Sequence, residues 1–170
     1  MLVANLLDAL FHAFPLDTAE AWDHVGLSVG DPSSPIEGVT CALDATLDNV
    51  RTAHKRGSNV LLTHHPVYIK APDAFKPAEP FSPSSSSVVY EAARLGVSII
   101  SMHTNLDRSL AARTLLPELM GITASSSLEF TQQPDLPGLG AVADIAKTDL
   151  TELASRAARV FRTQPRVWGG

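Results

Sequence analysis

The chain has 170 residues, of which 45% are hydrophobic and 18% charged, and a formal net charge of -5. That length gives one domain, or one domain and the start of another, with enough apolar residues for a real core. The acidic balance offers no basic face to nucleic acid or to an anionic membrane, and no stretch approaches the roughly 18 apolar residues of a spanning helix.

The first predicted element is a helix over Ala4 to Phe14. Leu6, Leu7, Leu10, Phe11 and Phe14 share one face of a 3.6-residue period, and Pro15 ends it. It has no basic leader and Asp8 interrupts it, so it reads as a helix and not as a signal peptide. His12 lies off the apolar face and reads as solvated. The stretch "AWDHVGLSVGDPSSPIEG" reads as a loop broken by glycine and proline. "VTCALD", Val39 to Asp44, reads as a short buried strand ending in a carboxylate, with the single cysteine, Cys41, in its core. One cysteine excludes an intrachain disulfide and fits a reducing cytoplasm.

"ATLDNVRTAHKRG" follows as a helix with Leu47, Val50 and Ala53 on one side, His54 on the solvated side and Gly57 as its stop. "NVLLTHHP" is the next strand. Tyr68 to Pro83 is a long, proline-rich loop. The serines from Ser84 to Ser87 supply an N-cap for the helix "SVVYEAARLG", which stops at Gly96. "VSIISMHTNLD" is a third strand running into a polar turn. Beyond it, "SLAARTLLPELMG" has helical character broken at Pro117. "LPGLGAVADIA" reads as turn then strand, and its glycines lack the surroundings of a phosphate-binding loop. "TDLTELASRAARVF" is an amphipathic helix with a capping-box start at Asp149 and Glu152. "RTQPRVWGG" resembles the beginning of one more strand.

Alternating strands and helices predict an α/β fold, a mostly parallel sheet flanked by helices. The boundaries expected are residues 1–130 for a first α/β half and 131–170 for the start of a second. An internal echo supports the parallel reading. Gly57 precedes His64 by seven positions and Gly96 precedes His103 by seven, each in the order helix, glycine, apolar strand, histidine. Two successive units therefore deliver histidine at one height.

In parallel sheets ligands bind beyond the carboxyl ends of the strands. Three strands place polar groups there: Asp44, then His64 and His65, then His103 with Asp107 beyond. Adjacent strand residues point to opposite faces, but a turn at Pro66 can bring both histidines round to one cavity. One imidazole then serves one metal and its neighbour a second, with Asp107 binding one ion or bridging two. Imidazole and carboxylate together admit zinc, iron, nickel, manganese or magnesium without choosing among them. A hydrogen-bonded polar cluster without metal and a metal-free catalytic histidine are the alternatives. Asp44 either supports a ligand from behind or starts a loop. Thr63 and Thr104 read as turn-stabilising. His103 suits general acid or base work, because a small shift in its pKa crosses neutral pH.

"WDHVGLSVG" (Trp22 to Gly30), "LDAT" (Leu43 to Thr46), "LLTHHPVY" (Leu61 to Tyr68), "HTNLD" (His103 to Asp107) and "GLGAV" (Gly138 to Val142) occur in the order and spacing of the Nif-three-like family, which the chain resembles over essentially its whole length. Bacterial members are usually called GTP cyclohydrolase 1 type 2 homologues. The resemblance implies an α/β fold of two similar halves around a dinuclear metal centre, in a toroidal homohexamer. It implies His64, His65 and Asp107 as metal ligands, with His103 beside the site, acting on a small-molecule substrate such as a nucleotide. A hydrolase-like protein follows from it; a non-enzymatic metal-binding scaffold and a metal-dependent phosphoesterase are the rival readings. Two departures stand out. His24 replaces the asparagine of the family's tryptophan-aspartate-asparagine motif. The family's remaining ligands, a histidine and a glutamate near the C-terminus, have no counterpart, since no histidine follows His103. The expectation is a shortened chain that binds metal weakly or holds one ion, because two divalent ions want roughly four to six donors each.

Overall fold

The computed structural model describes residues 1–78 and 84–168. The elements are α1 (Val3–Ala13), a 3-10 turn (Leu16–Thr18), β1 (Gly26–Val29), β2 (Val39–Ala42), α2 (Leu47–Lys55), β3 (Val60–Thr63), α3 (Ser85–Leu95), β4 (Ser98–Ser101), α4 (Thr104–Asp107), α5 (Leu110–Leu119) and α6 (Leu150–Phe161). The chain forms two compact units, Met1–Leu106 and the residues from Asp107 onward.

The first unit is built on a four-stranded sheet in the order β1-β4-β3-β2. β2, β3 and β4 are parallel, and β1 joins the edge antiparallel to β4. The fold is α/β as the alternation of elements predicts. The strand β1 lies where the sequence suggests only loop. Its four residues, Gly-Leu-Ser-Val, carry a weak strand signal of their own; pairing of Gly26 with Ser101 and Leu27 with Ile100 supplies the missing stability.

The strand period of two sorts the core. Leu61 and Ile99 point to one face, where Val50 and Ala53 of α2 and Val88, Val89 and Ala92 of α3 cover them. Val60 and Ile100 point to the other, where they meet Val3, with Leu6, Leu7, Leu10, Phe11 and Phe14 of α1 packed around them. Glu91 of α3 ties the two helices of the first face. It accepts from Arg51 Nε of α2 at 2.9 Å, and from Arg94 Nε at 3.0 Å and Nη2 at 3.1 Å.

Each helix-to-strand unit is stopped by the same device. Gly57 follows α2 with φ +75° and Gly96 caps α3 with φ +67°, left-handed values that glycine reaches without a Cβ penalty. The chain then enters β3 or β4 in matched register: Val60 with Ser98, Leu61 with Ile99, Leu62 with Ile100 and Thr63 with Ser101. Ser84 is the N-cap of α3, and its N–H donates to Ser87 Oγ at 3.0 Å.

The second unit holds α5 and α6. Pro117 does not break α5; it sits inside the last turn, and the helix continues to Leu119. A proline there forfeits one backbone bond near an end that is already short of partners. The strand expected after Leu136 is reduced to an isolated bridge between Ser126 and Val142. α6 forms as expected but is capped differently. Asp149 Oδ1 accepts from Thr151 N at 2.7 Å, while Glu152 Oε2 accepts from the Thr148 hydroxyl at 3.1 Å and does not reach back to the cap. No strand appears between 162 and 168; Gly169 and Gly170 lie outside the described residues, as does the end of the proline-rich loop (79–83). A cavity of about 560 Å³ lies within this unit, beside Ile122, Lys147 and Arg156, and is lined by none of the residues singled out as ligands.

Ile99 is fully buried. Ile99→Ala should lower stability by about 2–5 kcal/mol, measured by urea unfolding. The Arg94 and Arg51 hydrogen bonds hold the Glu91 carboxyl down from 4.5 to about 2. Its folded value lies below its unfolded one, so its stabilisation is complete above pH 4.5 and is lost as pH falls towards 2. Glu91→Gln should flatten that limb of the stability profile, read as unfolding midpoints across acidic pH.

Candidate metal centre

β3 ends at Thr63, and His64 and His65 occupy the bend that follows. Leaving the strand frees them from its alternation. The Thr63 hydroxyl donates to His65 O at 2.8 Å, and His65 N to Leu43 O at 2.9 Å, so the bend is tied at both ends. Continuing the β3–β4 register sets His64 level with Met102 and His65 level with His103. The glycine-to-histidine echo thus brings its histidines to neighbouring strand tips within one residue of the same height.

The three rings converge. Their centroids are 4.8 Å apart for His64 and His65, 5.1 Å for His64 and His103, and 5.6 Å for His65 and His103. Each offers one ring nitrogen to a group of ligand atoms lying within 4.8 Å of one another. Nitrogens bound across one ion at about 2.0–2.1 Å each are at most about 4.2 Å apart, so small ring movements suffice to close the set on a cation.

The Nδ1 atoms are already engaged. His64 Nδ1 faces Met102 O at 3.0 Å, His65 Nδ1 faces Asp44 Oδ1 at 2.7 Å, and His103 Nδ1 faces Asp23 Oδ1 at 2.9 Å. A carbonyl or a carboxylate oxygen can only accept, so a neutral ring places its proton on Nδ1 and leaves its lone pair on Nε2. This arrangement, an oxygen behind each imidazole, is that of metal-binding histidines. The donor set therefore fits a first-row divalent cation.

Two carboxylates perform this task in different settings. Asp44, which the sequence leaves open between a supporting and a loop-starting role, supports His65. Its side chain is 53% exposed and that of His65 46%. The side chain of Asp23 is wholly buried, and that of His103 is 17% exposed. Sequence reasoning passed over Asp23, whose partners lie some eighty positions away; the available signal was its place in the "WDHVG" motif. Burial opposes its ionisation. The Thr104 hydroxyl, His103, Thr104 N and His24 N, all hydrogen-bonded to it, outweigh that and hold its pKa below 3.8. Thr104 is thus more than a turn residue: its hydroxyl also accepts from Glu20 N at 2.9 Å.

His24 contributes no ligand atom to the three-imidazole group. Its ring lies 4.7 Å from that of Tyr68, and its carbonyl accepts from Ser101 Oγ at 3.2 Å. Trp22 meets His103 edge-on at 6.1 Å. Asp107 closes α4, four residues after His103, and belongs to the second compact unit.

The family model described as Duf34/NIF3 (NGG1p interacting factor 3) matches residues 1–169. A Staphylococcus aureus protein named GTP cyclohydrolase 1 type 2 homolog is 34% identical over 123 residues, covering 72% of this chain and 32% of its own length. A crystal structure of a Staphylococcus aureus protein aligns with TM-score 0.68 and 33% identity over 76% of this chain and 36% of its own. Reduced HcgD from Methanocaldococcus jannaschii aligns with TM-score 0.74 and 26% identity over 94% and 60%. The chain spans about a third of the length of the curated relatives it matches.

Thr104→Val removes a donor from a buried carboxylate and an acceptor from the Glu20 amide. It should cost about 1–3 kcal/mol. Asp23 titrates lower in the folded state, so that loss should be seen at neutral pH and shrink as pH falls through and below 3.8, in thermal unfolding of both proteins.

Proposed function

The chain belongs to the Duf34/NIF3 family, and from that premise we propose that its histidine cluster is the metal-binding part of a dinuclear, hydrolase-like centre acting on a small-molecule substrate of the nucleotide class. The observation that carries the reading is the convergence of the three imidazoles, each with an oxygen acceptor facing its Nδ1. In this proposal His64 and His65 hold the metal, and Asp107 joins them on the strength of the His-Thr-Asn-Leu-Asp motif. Divalent cations bound there supply Lewis acidity, which makes water a stronger acid and screens negative charge on oxygen.

His103 is the proposed acid and base. Its Nε2 takes a proton as water attacks and returns it to the departing group, while Nδ1 keeps its own proton towards Asp23. The exposed side of the site, at His65 and Asp44, is the side open to a substrate. The printed name of the curated relatives, GTP cyclohydrolase 1 type 2 homolog, suggests a purine nucleotide as the first substrate to try. The apolar leucines exposed on α5, among them Leu110 and Leu116, are compatible with the homo-oligomer that the resemblance implies.

Metal content and affinity test the reading directly. The chain should take up zinc or manganese in calorimetric titration. His64→Ala and His65→Ala should each weaken binding by more than the roughly 10–100-fold that follows loss of a group behind a ligand. A metal-loaded chain assayed with GTP and with phosphoesters should release formate or phosphate. Metal uptake with neither product would favour a metal-binding scaffold, and a chain that takes up no metal would end the proposal.

A further inference from the structure

We propose that Asp23 is a positioning residue that fixes the tautomer of His103, holding the ring proton on Nδ1 so that Nε2 faces the cluster with its lone pair free. The inference rests on the proposed function for its purpose, but its geometry is independent of any metal. Oδ1 of Asp23 accepts from His103 Nδ1 at 2.9 Å and from His24 N at 2.7 Å. Oδ2 accepts from Thr104 N at 3.0 Å and from the Thr104 hydroxyl. The side chain is wholly buried. Four donors from three residues converge on one carboxylate, so both oxygens are committed and neither can turn away.

An ionised carboxylate only accepts, and a neutral imidazole has one donor and one acceptor nitrogen. The ring nitrogen facing Asp23 must therefore be the donor. His64 and His65 are held differently. The carbonyl of Met102 faces His64, a partner that no side-chain substitution removes. Asp44 faces His65 from a half-exposed position, where water can take over its role. The ring of His103 is held by a buried side chain. The partner lies in the loop at residues 20–24. That loop is drawn against the tip of β4 by Glu20 N on the Thr104 hydroxyl and by Ser101 Oγ on His24 O. The loop's contribution to the site is thus the direction in which one imidazole presents its lone pair.

The test is a long-range proton–nitrogen correlation spectrum of the metal-free, nitrogen-15-labelled chain at about pH 8, where an ordinary imidazole with pKa near 6.5 is neutral. His103→Gln identifies the His103 signals by their loss. The wild-type ring should show the Nδ1–H pattern. In Asp23→Asn the amide can donate to Nδ1, so the ring should change to the Nε2–H pattern. A wild-type ring protonated on Nε2 overturns the inference. So does an Asp23→Asn chain that keeps the Nδ1–H ring. If that variant does not fold, the wild-type spectrum decides alone. A wild-type chain that shows the Nδ1–H ring but takes up no zinc would count against the proposed function and leave the tautomer assignment standing.

Discussion

The parallel pairing of β3 with β4 is the constraint on which the site depends. Four residues on each strand are matched one to one, and the next residue along each is polar or sulfur-bearing where the strand lets go. A slip of one residue would reverse every side chain between the two faces. It would also move His103 away from the bend that carries His64 and His65. Register here is fixed by burial on both faces: Leu61 and Ile99 beneath α2 and α3, Val60 and Ile100 beneath α1. The hydrophobic core and the imidazole cluster are therefore set by one and the same alignment.

A second requirement is that something orient each ring once it arrives. The groups that do so come from three different places: a strand-end carbonyl at Met102, a strand-end carboxylate at Asp44 and a loop carboxylate at Asp23. The last needs β1. Because β1 runs antiparallel to β4, its start at Gly26 lies beside Ser101 at the end of β4, and the residues just before it are carried to the histidines. An additional parallel strand in that position would put its opposite end there. Asn105, fully buried, completes the frame by accepting from His103 N at 3.0 Å and donating to Phe14 O at 2.8 Å, which binds the end of α1 to the same turn.

What the sequence made legible follows from the range of the signals. The helices α1, α2, α3 and α6 and the strands β2, β3 and β4 announce themselves through local periodicity and stop residues. The convergence of His64, His65 and His103 follows from one topological rule applied to the echo between Gly57 and Gly96. The strand β1 was not legible because its four residues gain their shape from a partner some seventy positions later. Asp23 was hidden for the same reason: its donors, His103 and Thr104, are remote in sequence. Pro117 misled because a proline's cost depends on where in a helix it falls, and the bridge at Val142 because apolar alternation without a long partner does not make a strand.

Trp22 stands half outside the protein, 56% exposed, with its ring 6.1 Å from that of His103. An indole so close to an imidazole is a natural optical gauge. An excited indole can pass an electron to a protonated imidazole beside it, so the emission of Trp22 would fall when that ring carries charge and recover when it is neutral. With the remaining indole at Trp168 replaced by phenylalanine, the light from a single residue would report the charge of the cluster as it changes, without any label added to the chain.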